Sequence, residues 1–209
     1  MTQQNEELLR ILTPQELALI YQKEMTGTFP PNELKPLSSM EAMRALGRYE
    51  PLGLFDENSE LEGYALFWID ETGEYPLLDY LGVPAAKRGK GVGTRLLAMV
   101  GEHFAQAKGI IVEAEAEESG DPAERDLRRR RLAFYQRCGF EFLSYDCALF
   151  GVHYKVLLLP HGPIDAQEAM ERHRGLYQNQ FAPERFARYV QFPLKEGEEV
   201  RHFAPWQEE

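Results

Sequence analysis

The chain has 209 residues, of which 44% are hydrophobic and 27% charged, a globular balance that excludes a largely disordered or fibrous protein. Its 23 basic and 34 acidic residues give a formal net charge of −11, which opposes non-specific binding to nucleic acid. No signal peptide is visible, and the longest apolar run, Tyr64–Ile69, is far shorter than the roughly 20 residues of a membrane helix, so no membrane partner is expected.

The N-terminal segment predicts one strand and two helices. Glu7–Leu12 is suited to a short strand. Thr13-Pro14-Gln15-Glu16 then predicts a helix start, because a hydroxyl N-cap is followed by proline at the first helical position and by glutamate three residues after the cap. That helix should run to about Met25, and a second, shorter helix should begin at Ser38 and end near Gly47.

Extended segments come next. Tyr49–Phe55 and Leu61–Ile69 are joined by a polar run, which predicts an antiparallel hairpin. Leu77–Val83 predicts a further strand. After a glycine-rich turn, apolar residues recur at helical spacing over Val92–Ala107, and Gly109 is expected to end this helix.

The remaining elements of the main body alternate in the same way. Ile110–Glu115 begins with three β-branched residues and predicts a strand. Asp121-Pro122 predicts another capped helix start, and the helix should continue to Cys138. Phe140–Tyr145 and Val152–Leu159 predict a final pair of strands.

The order β-α-α-β-β-β-α-β-α-β-β defines the expected fold class. Because a helix separates Leu77–Val83 from Ile110–Glu115, these two strands should form a parallel crossover pair. The other strands favour hairpins, so we expect a mixed α/β (α+β) fold with a mostly antiparallel sheet. Residues 1–159 should form the main domain. Residues 160–209, with a helix capped by Asp165 and seven aromatic residues from Tyr177 to Trp206, should form a helical extension packed on it.

The turn before the third long helix carries the clearest chemical signal. Its residues are Arg88, Gly89, Lys90, Gly91, Val92, Gly93 and Thr94. Glycines let a ligand approach the backbone amides, and a helix N-terminus adds about half a positive charge. Two cationic side chains add full charges. The turn is therefore suited to a pyrophosphate.

Three general interpretations of this turn differ in how well its residues fit them. A nucleoside-triphosphate loop requires Lys followed by Ser or Thr, whereas Lys90 is followed by Gly91. A dinucleotide fingerprint has support from Gly89-x-Gly91 and from Glu113 about 20 residues on, but Thr94 stands where the third glycine belongs. A tight turn without a ligand also stays open, although three glycines in five residues between two cations disfavour it.

The same segment resembles the coenzyme A motif of the Gcn5-related N-acetyltransferase (GNAT) family. Arg88–Gly93 matches the family's pattern of Arg or Gln, two residues, Gly, one residue, and Gly or Ala. Leu81–Pro84 resembles the strand exit before that motif, and Arg131–Phe140 resembles the helix end that carries a tyrosine and then Gly-Phe. The specific motifs lie within about Leu61–Phe140, and the element order is similar over about Glu7–Leu159.

The resemblance implies an acetyl-CoA-dependent N-acetyltransferase that moves the acetyl group directly from the thioester to an amine of a small molecule or peptide. The backbone of Leu81 and Val83 would pair with the pantetheine arm, in a gap between splayed strands that Gly82 allows. The turn at residues 88–94 would hold the pyrophosphate. Arg128 stands where the family often has Asn, and we expect it to contact the cofactor instead.

Two catalytic tasks remain, a general acid for the leaving thiolate and a base for the amine. Tyr135 is the expected acid, since a phenol stays protonated at neutral pH. The alternative for Tyr135 is a packed tyrosine near a helix end. Asp79, Glu113 and Glu115 lie on the two splayed strands and are the candidate bases, although each could simply face solvent.

Other chemistries find little support. The five histidines show no metal-ligand spacing with a carboxylate or cysteine, so no catalytic metal is expected; they are His103, His153, His161, His173 and His202. The run Arg128–Arg131 points around a helix rather than along one face, which disfavours a nucleic-acid site. Cys138 and Cys147 are read as reduced thiols, which favours a cytoplasmic location.

We expect a monomer or a homodimer. Two alternative functions stay open beside the N-acetyltransferase. One is a catalytically silent module that binds or senses acyl-CoA. The other is a transferase for a different acyl group. A nicotinamide dehydrogenase is a distant third, and no Gly-x-Ser-x-Gly motif supports a covalent acyl-enzyme.

Overall fold

The computed structural model describes residues 8–31 and 33–201, so Glu7, His202 and Trp206 lie outside the described residues. The strands are β1 (Leu8–Ile11), β2 (Tyr49–Phe55), β3 (Leu61–Trp68), β4 (Leu77–Gly82), β5 (Gly109–Glu115), β6 (Glu141–Leu149), β7 (Val152–Pro160) and β8 (Val190–Leu194). The α-helices are α1 (Pro14–Ile20), α2 (Leu37–Ala45), α3 (Val92–His103), α4 (Arg125–Arg137), α5 (Ala166–Gln180) and α6 (Pro183–Tyr189).

The eight strands form one sheet in the order β1-β2-β3-β4-β5-β7-β6-β8. The pair β4–β5 is parallel and the other described pairs are antiparallel. The predicted fold class, a mixed and mostly antiparallel sheet with one parallel pair, is confirmed.

Each face of the sheet carries its own apolar core. Helices α3 and α4 pack on one face through residues such as Leu96 and Leu132, and helices α1, α2 and α5 pack on the other through residues such as Leu17, Met40 and Leu176. The central strands are therefore buried on both sides, and seven of the eight residues of β3 are buried. This explains why β3 is a continuous apolar run rather than an alternating one.

The predicted cap of α1 forms as expected. The Thr13 hydroxyl accepts a hydrogen bond from the Glu16 amide at 3.2 Å, and the Glu16 carboxylate accepts one from the Thr13 amide at 2.8 Å. The helix continues as a π-helical turn over Tyr21–Met25, which matches the predicted end.

Helix α3 is shorter than predicted: it ends at His103 rather than at Ala107. Gly109 does not end this helix but is the first residue of β5, opposite Pro160 of β7. A Cβ atom at Gly109 would lie 2.8 Å from the Leu159 carbonyl oxygen, so this glycine permits close strand pairing.

The sheet's far edge also differs from the sequence expectation. Strand β6 runs to Leu149 instead of ending at Tyr145, because the C-terminal segment supplies β8 as a further partner for it. The segment after residue 160 therefore contributes a strand as well as α5 and α6.

Strands β4 and β5 pair over only two residues, Leu77 with Ile111 and Leu78 with Val112. In β4, Leu78 is opposite Phe67 and Tyr80 is opposite Leu66, so Asp79 is an extra residue that forms a β-bulge. A bulge bends its strand and re-aims its side chains. Beyond this point the two strands separate and leave a wedge-shaped gap.

The next parallel pair in the register would place Asp79 directly against Glu113. Like charges directly opposite each other destabilise strand pairing. Each carboxylate is also held by groups of other elements, as described below. The charge pattern and the bulge both favour separation of the strands at this position.

We expect Gly82→Ala to destabilise the fold next to this gap. An added Cβ atom would lie 2.0–2.5 Å from atoms of the Tyr64 phenol ring, which is buried against β4. Overpacking of this kind costs about 1–3 kcal/mol, which urea unfolding would measure.

The matched control is Gly175→Ala in α5, where an added Cβ atom meets no atom within 4 Å. Alanine is favoured over glycine inside a helix by about 0.5–1 kcal/mol, so this variant should be slightly more stable. Equal stability of the wild type and Gly82→Ala would contradict the packing described here.

Candidate active site

The gap between β4 and β5 opens into a cavity of about 330 Å³. Side chains from both separated strands and from α4 line it. They include six of the residues singled out from the sequence: Asp79, Leu81, Glu113, Glu115, Arg128 and Tyr135. The tertiary structure therefore brings these positions together around one space.

The glycine turn lies at the N-terminus of α3. Gly89 and Gly91 have φ angles of 76° and 75°, in the left-handed region that favours glycine, and Gly91 is the N-cap of the helix. Within the described part of the chain, the backbone N–H groups of residues 89–94 donate to no protein acceptor. These amides are therefore available to an anion at the positive end of the helix.

The edge of β4 that faces the gap is also available. On its other side, Leu81 pairs with Ala65 and Gly82 with Tyr64 of β3. Beyond Leu78 no described strand pairs with the edge that faces β5. The Val83 carbonyl already accepts a hydrogen bond from Nε of Arg88 at 2.9 Å, which ties the turn to the end of the strand.

Tyr135 is buried near the end of α4, and its ring packs against Phe134 and Phe140 with centroid distances of 5.3 Å. Burial raises the pKa of Tyr135 to about 12, so the phenol stays protonated throughout the neutral range. No described side chain or backbone group hydrogen-bonds to its hydroxyl. Tyr135 is therefore a free proton donor at the wall of the cavity.

Asp79 is engaged by two neighbours. Its carboxylate accepts hydrogen bonds from Lys35 Nζ at 2.5 Å and from the Tyr49 hydroxyl at 2.7 Å. Only 6% of the Asp79 side chain is exposed, and its burial raises the pKa of the carboxyl above its usual range. The ion pair between Lys35 and Asp79 holds the bulge of β4 against the loop that precedes α2.

Glu113 is held by α5. The Tyr177 hydroxyl donates to the carboxylate at 2.8 Å, and His173 Nε2 lies 2.7 Å from it. The other ring nitrogen of His173 faces the Tyr145 hydroxyl at 3.1 Å. His173 and Tyr177 are thus further residues of the site, and their spacing of four on one helix face is the signal in the sequence that pairs them.

Glu115 pairs with two arginines of α4. Arg128 is almost fully buried and donates to the Glu115 carboxylate at 3.0 Å and to the Asp121 carbonyl at 2.9 Å. Arg131 donates to the other oxygen of Glu115 at 2.6 Å. The two arginines fasten the start of α4 to β5, and Arg128 also lines the cavity.

Glu33, in the loop between α1 and α2, also lines the cavity. Its carboxylate accepts a hydrogen bond from the Tyr154 hydroxyl at 3.2 Å. Burial and, secondarily, the nearby charge of Glu115 raise the pKa of Glu33 to about 7. No motif in the sequence identifies Glu33, because the loop that carries it has no periodicity and reaches the site only in the folded chain.

Two further observations concern ligands and membranes. Among residues 8–31 and 33–201, no group of three or more His, Cys, Asp or Glu side chains is arranged to hold a metal ion. In the same part of the chain, no helix is both long enough and apolar enough to cross a membrane.

Residues 52–142 match the model of the GNAT acetyltransferase domain. No curated protein sequence matches the chain. A solved Bacteroides thetaiotaomicron protein assigned to the GNAT acetyltransferases is similar, with 22% identity and a TM-score of 0.63 over 80% of this chain and 94% of that one.

Two other solved structures share the fold. One is the ribosomal-protein-S18-alanine N-acetyltransferase of Escherichia coli, with 14% identity and a TM-score of 0.57 over 76% of this chain and 96% of that one. The other is a Vibrio cholerae spermidine N-acetyltransferase in complex with CoA and spermine, with 12% identity and a TM-score of 0.56 over 75% of this chain and 96% of that one.

The family match includes the separated strands, the glycine turn and Tyr135, which are the features on which the resemblance in the sequence depends. The overall fold is similar to that of the solved Bacteroides thetaiotaomicron protein. The resemblance is confirmed over the matched residues: residues 52–142 correspond to the acetyltransferase (GNAT) domain.

Proposed function

We propose that the protein transfers an acetyl group from acetyl-CoA directly to an amine of a small molecule or peptide while both substrates are bound. The observation that carries this proposal is the row of unpaired amides at residues 89–94 beside the open edge of β4. An acyl-CoA has an anionic pyrophosphate, which suits the amides, and a peptide-like arm, which suits the open strand edge.

The residues fit the cofactor in a consistent direction. The amides of residues 89–94, with the charges of Arg88 and Lys90, would hold the pyrophosphate. The backbone of Leu81, Gly82 and Val83 would pair with the pantetheine arm as an added strand. The Val83 amide, which donates to no acceptor among the described residues, would serve as a donor. The thioester would then reach the cavity that Tyr135 lines.

Tyr135 would act as the general acid. Burial and the absence of a hydrogen-bond partner among the described residues keep its hydroxyl protonated and unoccupied. Its phenol would donate a proton to the sulfur as the carbon–sulfur bond breaks. Because a phenol with a pKa near 12 is a weaker acid than a thiol, this donation must be coupled to uptake of the proton that the amine nitrogen loses.

The acceptor side of the cavity favours a cationic amine. Glu33 and Glu113 line it, and neither pairs with a lysine or arginine side chain in the described part of the chain. Solved structures with this fold include enzymes named for spermidine and for a ribosomal-protein alanine, so the fold accommodates small and polypeptide acceptors. The free thiols Cys138 and Cys147 support a reducing, cytoplasmic compartment.

We expect Gly91→Ala to weaken acetyl-CoA binding about tenfold, measured by isothermal titration calorimetry. A left-handed conformation costs an L-residue about 1–2 kcal/mol, so the turn would shift its amides away from the pyrophosphate position. Gly47→Ala is the control, because Gly47 has a similar φ of 69° in a turn remote from the cavity. If both variants bind as the wild type does, the turn does not hold the cofactor.

We expect Tyr135→Phe to lower kcat for acetyl transfer by about 10²-fold while the Kd for acetyl-CoA stays unchanged. Steady-state assays with a panel of amines, followed by calorimetry, would measure both. Tyr189→Phe is the matched control, because Tyr189 packs on Phe150 away from the cavity. Loss of cofactor binding in Tyr135→Phe would show that Tyr135 is structural. Cofactor binding without transfer by the wild type would indicate the silent acyl-CoA module.

A further inference from the structure

The carboxylates that line the cavity differ in how fully the chain engages them. Asp79 is paired with Lys35, and Glu115 is paired with Arg128 and Arg131. Glu113 accepts from Tyr177 and contacts His173. These three residues were the bases expected from the sequence, and each is occupied by at least two partners.

Glu33 is engaged differently. Among the described residues its carboxylate has one hydrogen-bond partner, the Tyr154 hydroxyl, which contacts one of its two oxygens. The other oxygen is free of protein donors among the described residues. Since Glu33 lines the same cavity as Tyr135, this oxygen is placed to serve a ligand in that space.

The loop that carries Glu33 is anchored to the separated strand. The Tyr80 hydroxyl donates to the Glu33 carbonyl at 2.6 Å and accepts from the Lys35 amide at 2.8 Å. Tyr80 follows the bulge at Asp79, so the same distortion that opens the sheet also fixes the loop. The buried hydrogen bonds of Tyr80 therefore fix the backbone of the loop at Glu33 beside the gap.

We propose that Glu33 is the general base that takes the proton from the acceptor amine, an inference that rests on the proposed function. Its pKa of about 7 suits this task, because a base poised near the working pH can both accept and release a proton. The groups that face it are Tyr80 of β4, Glu115 of β5, Arg128 and Arg131 of α4, and Tyr154 of β7.

The proton balance of the reaction is complete with two residues. Glu33 takes one proton from the ammonium form of the substrate, and the neutral nitrogen forms a bond to the carbonyl carbon of the thioester. The carbon–sulfur bond breaks with its electron pair on sulfur, which receives the proton of the Tyr135 hydroxyl. Tyr135 takes the second proton from the nitrogen, and Glu33 releases its proton to water.

The test is the pH dependence of kcat/KM for one amine in the full-length wild type and in three variants. Glu33→Gln removes the base with little change in size, and we expect a loss of about 10²-fold or more and the disappearance of the acid limb near pH 7. Glu57→Gln is the charge-matched control, because Glu57 is exposed in the turn between β2 and β3. It should keep both the rate and the limb.

Tyr154→Phe provides a variant that leaves the base in place. The Tyr154 hydroxyl favours the ionised form of Glu33, so its removal should raise the pKa of Glu33 and move the acid limb to higher pH. Calorimetry with acetyl-CoA should give the wild-type Kd for all the variants, because Glu33 lies on the acceptor side.

The possible outcomes separate the two proposals. If the wild type transfers acetyl groups and Glu33→Gln retains its rate and acid limb, Glu33 is not the base although the transferase assignment stands. If the wild type transfers to no amine, both proposals are wrong. Loss of the limb in Glu33→Gln together with its upward shift in Tyr154→Phe supports Glu33 as the base.

Discussion

The structure depends on the separation of two parallel strands after only two residue pairs. Asp79 on β4 and Glu113 on β5 occupy the next positions in the register, and each is drawn away by other elements. Lys35 and Tyr49 hold the first carboxylate, and α5 holds the second. At this point buried hydrogen bonds on either side of a gap therefore replace strand pairing. The β-bulge at Asp79 is where β4 bends away from β5.

Most of the functional surface follows from that gap. It leaves one edge of β4 without a partner among the described strands, and residues of both separated strands and of α4, Tyr135 among them, line the cavity that opens there. In the proposed function, the amides of residues 89–94 and a protonated Tyr135 would serve the cofactor, while Glu33 would serve the acceptor. The C-terminal segment contributes as well, since His173 and Tyr177 fix Glu113, and β8 lengthens the sheet beyond β6.

Sequence reasoning succeeds here where the signal is local. The cap at Thr13, the glycine turn and the helix end around Tyr135 each depend on neighbouring residues, and their backbone consequences appear in the structure. It fails where the decisive contact is distant along the chain. Gly109 permits close packing against β7, and no local sequence pattern predicts that contact. Glu33 is positioned by contacts with Tyr154 and Tyr80, and Asp79 is occupied by Lys35 from another loop.

We propose above all that the amides of residues 89–94, which donate to no acceptor among the described residues, bind an acyl-CoA. Amide hydrogen exchange with and without acetyl-CoA tests it residue by residue, because a hydrogen-bonded amide exchanges more slowly than a free one. The account predicts slower exchange at Val83 and at residues 89–94 when acetyl-CoA is added, and no change in the remote turn at Gly47. Unchanged exchange in the glycine turn with saturating acetyl-CoA, or protection confined to another part of the sheet, would contradict it.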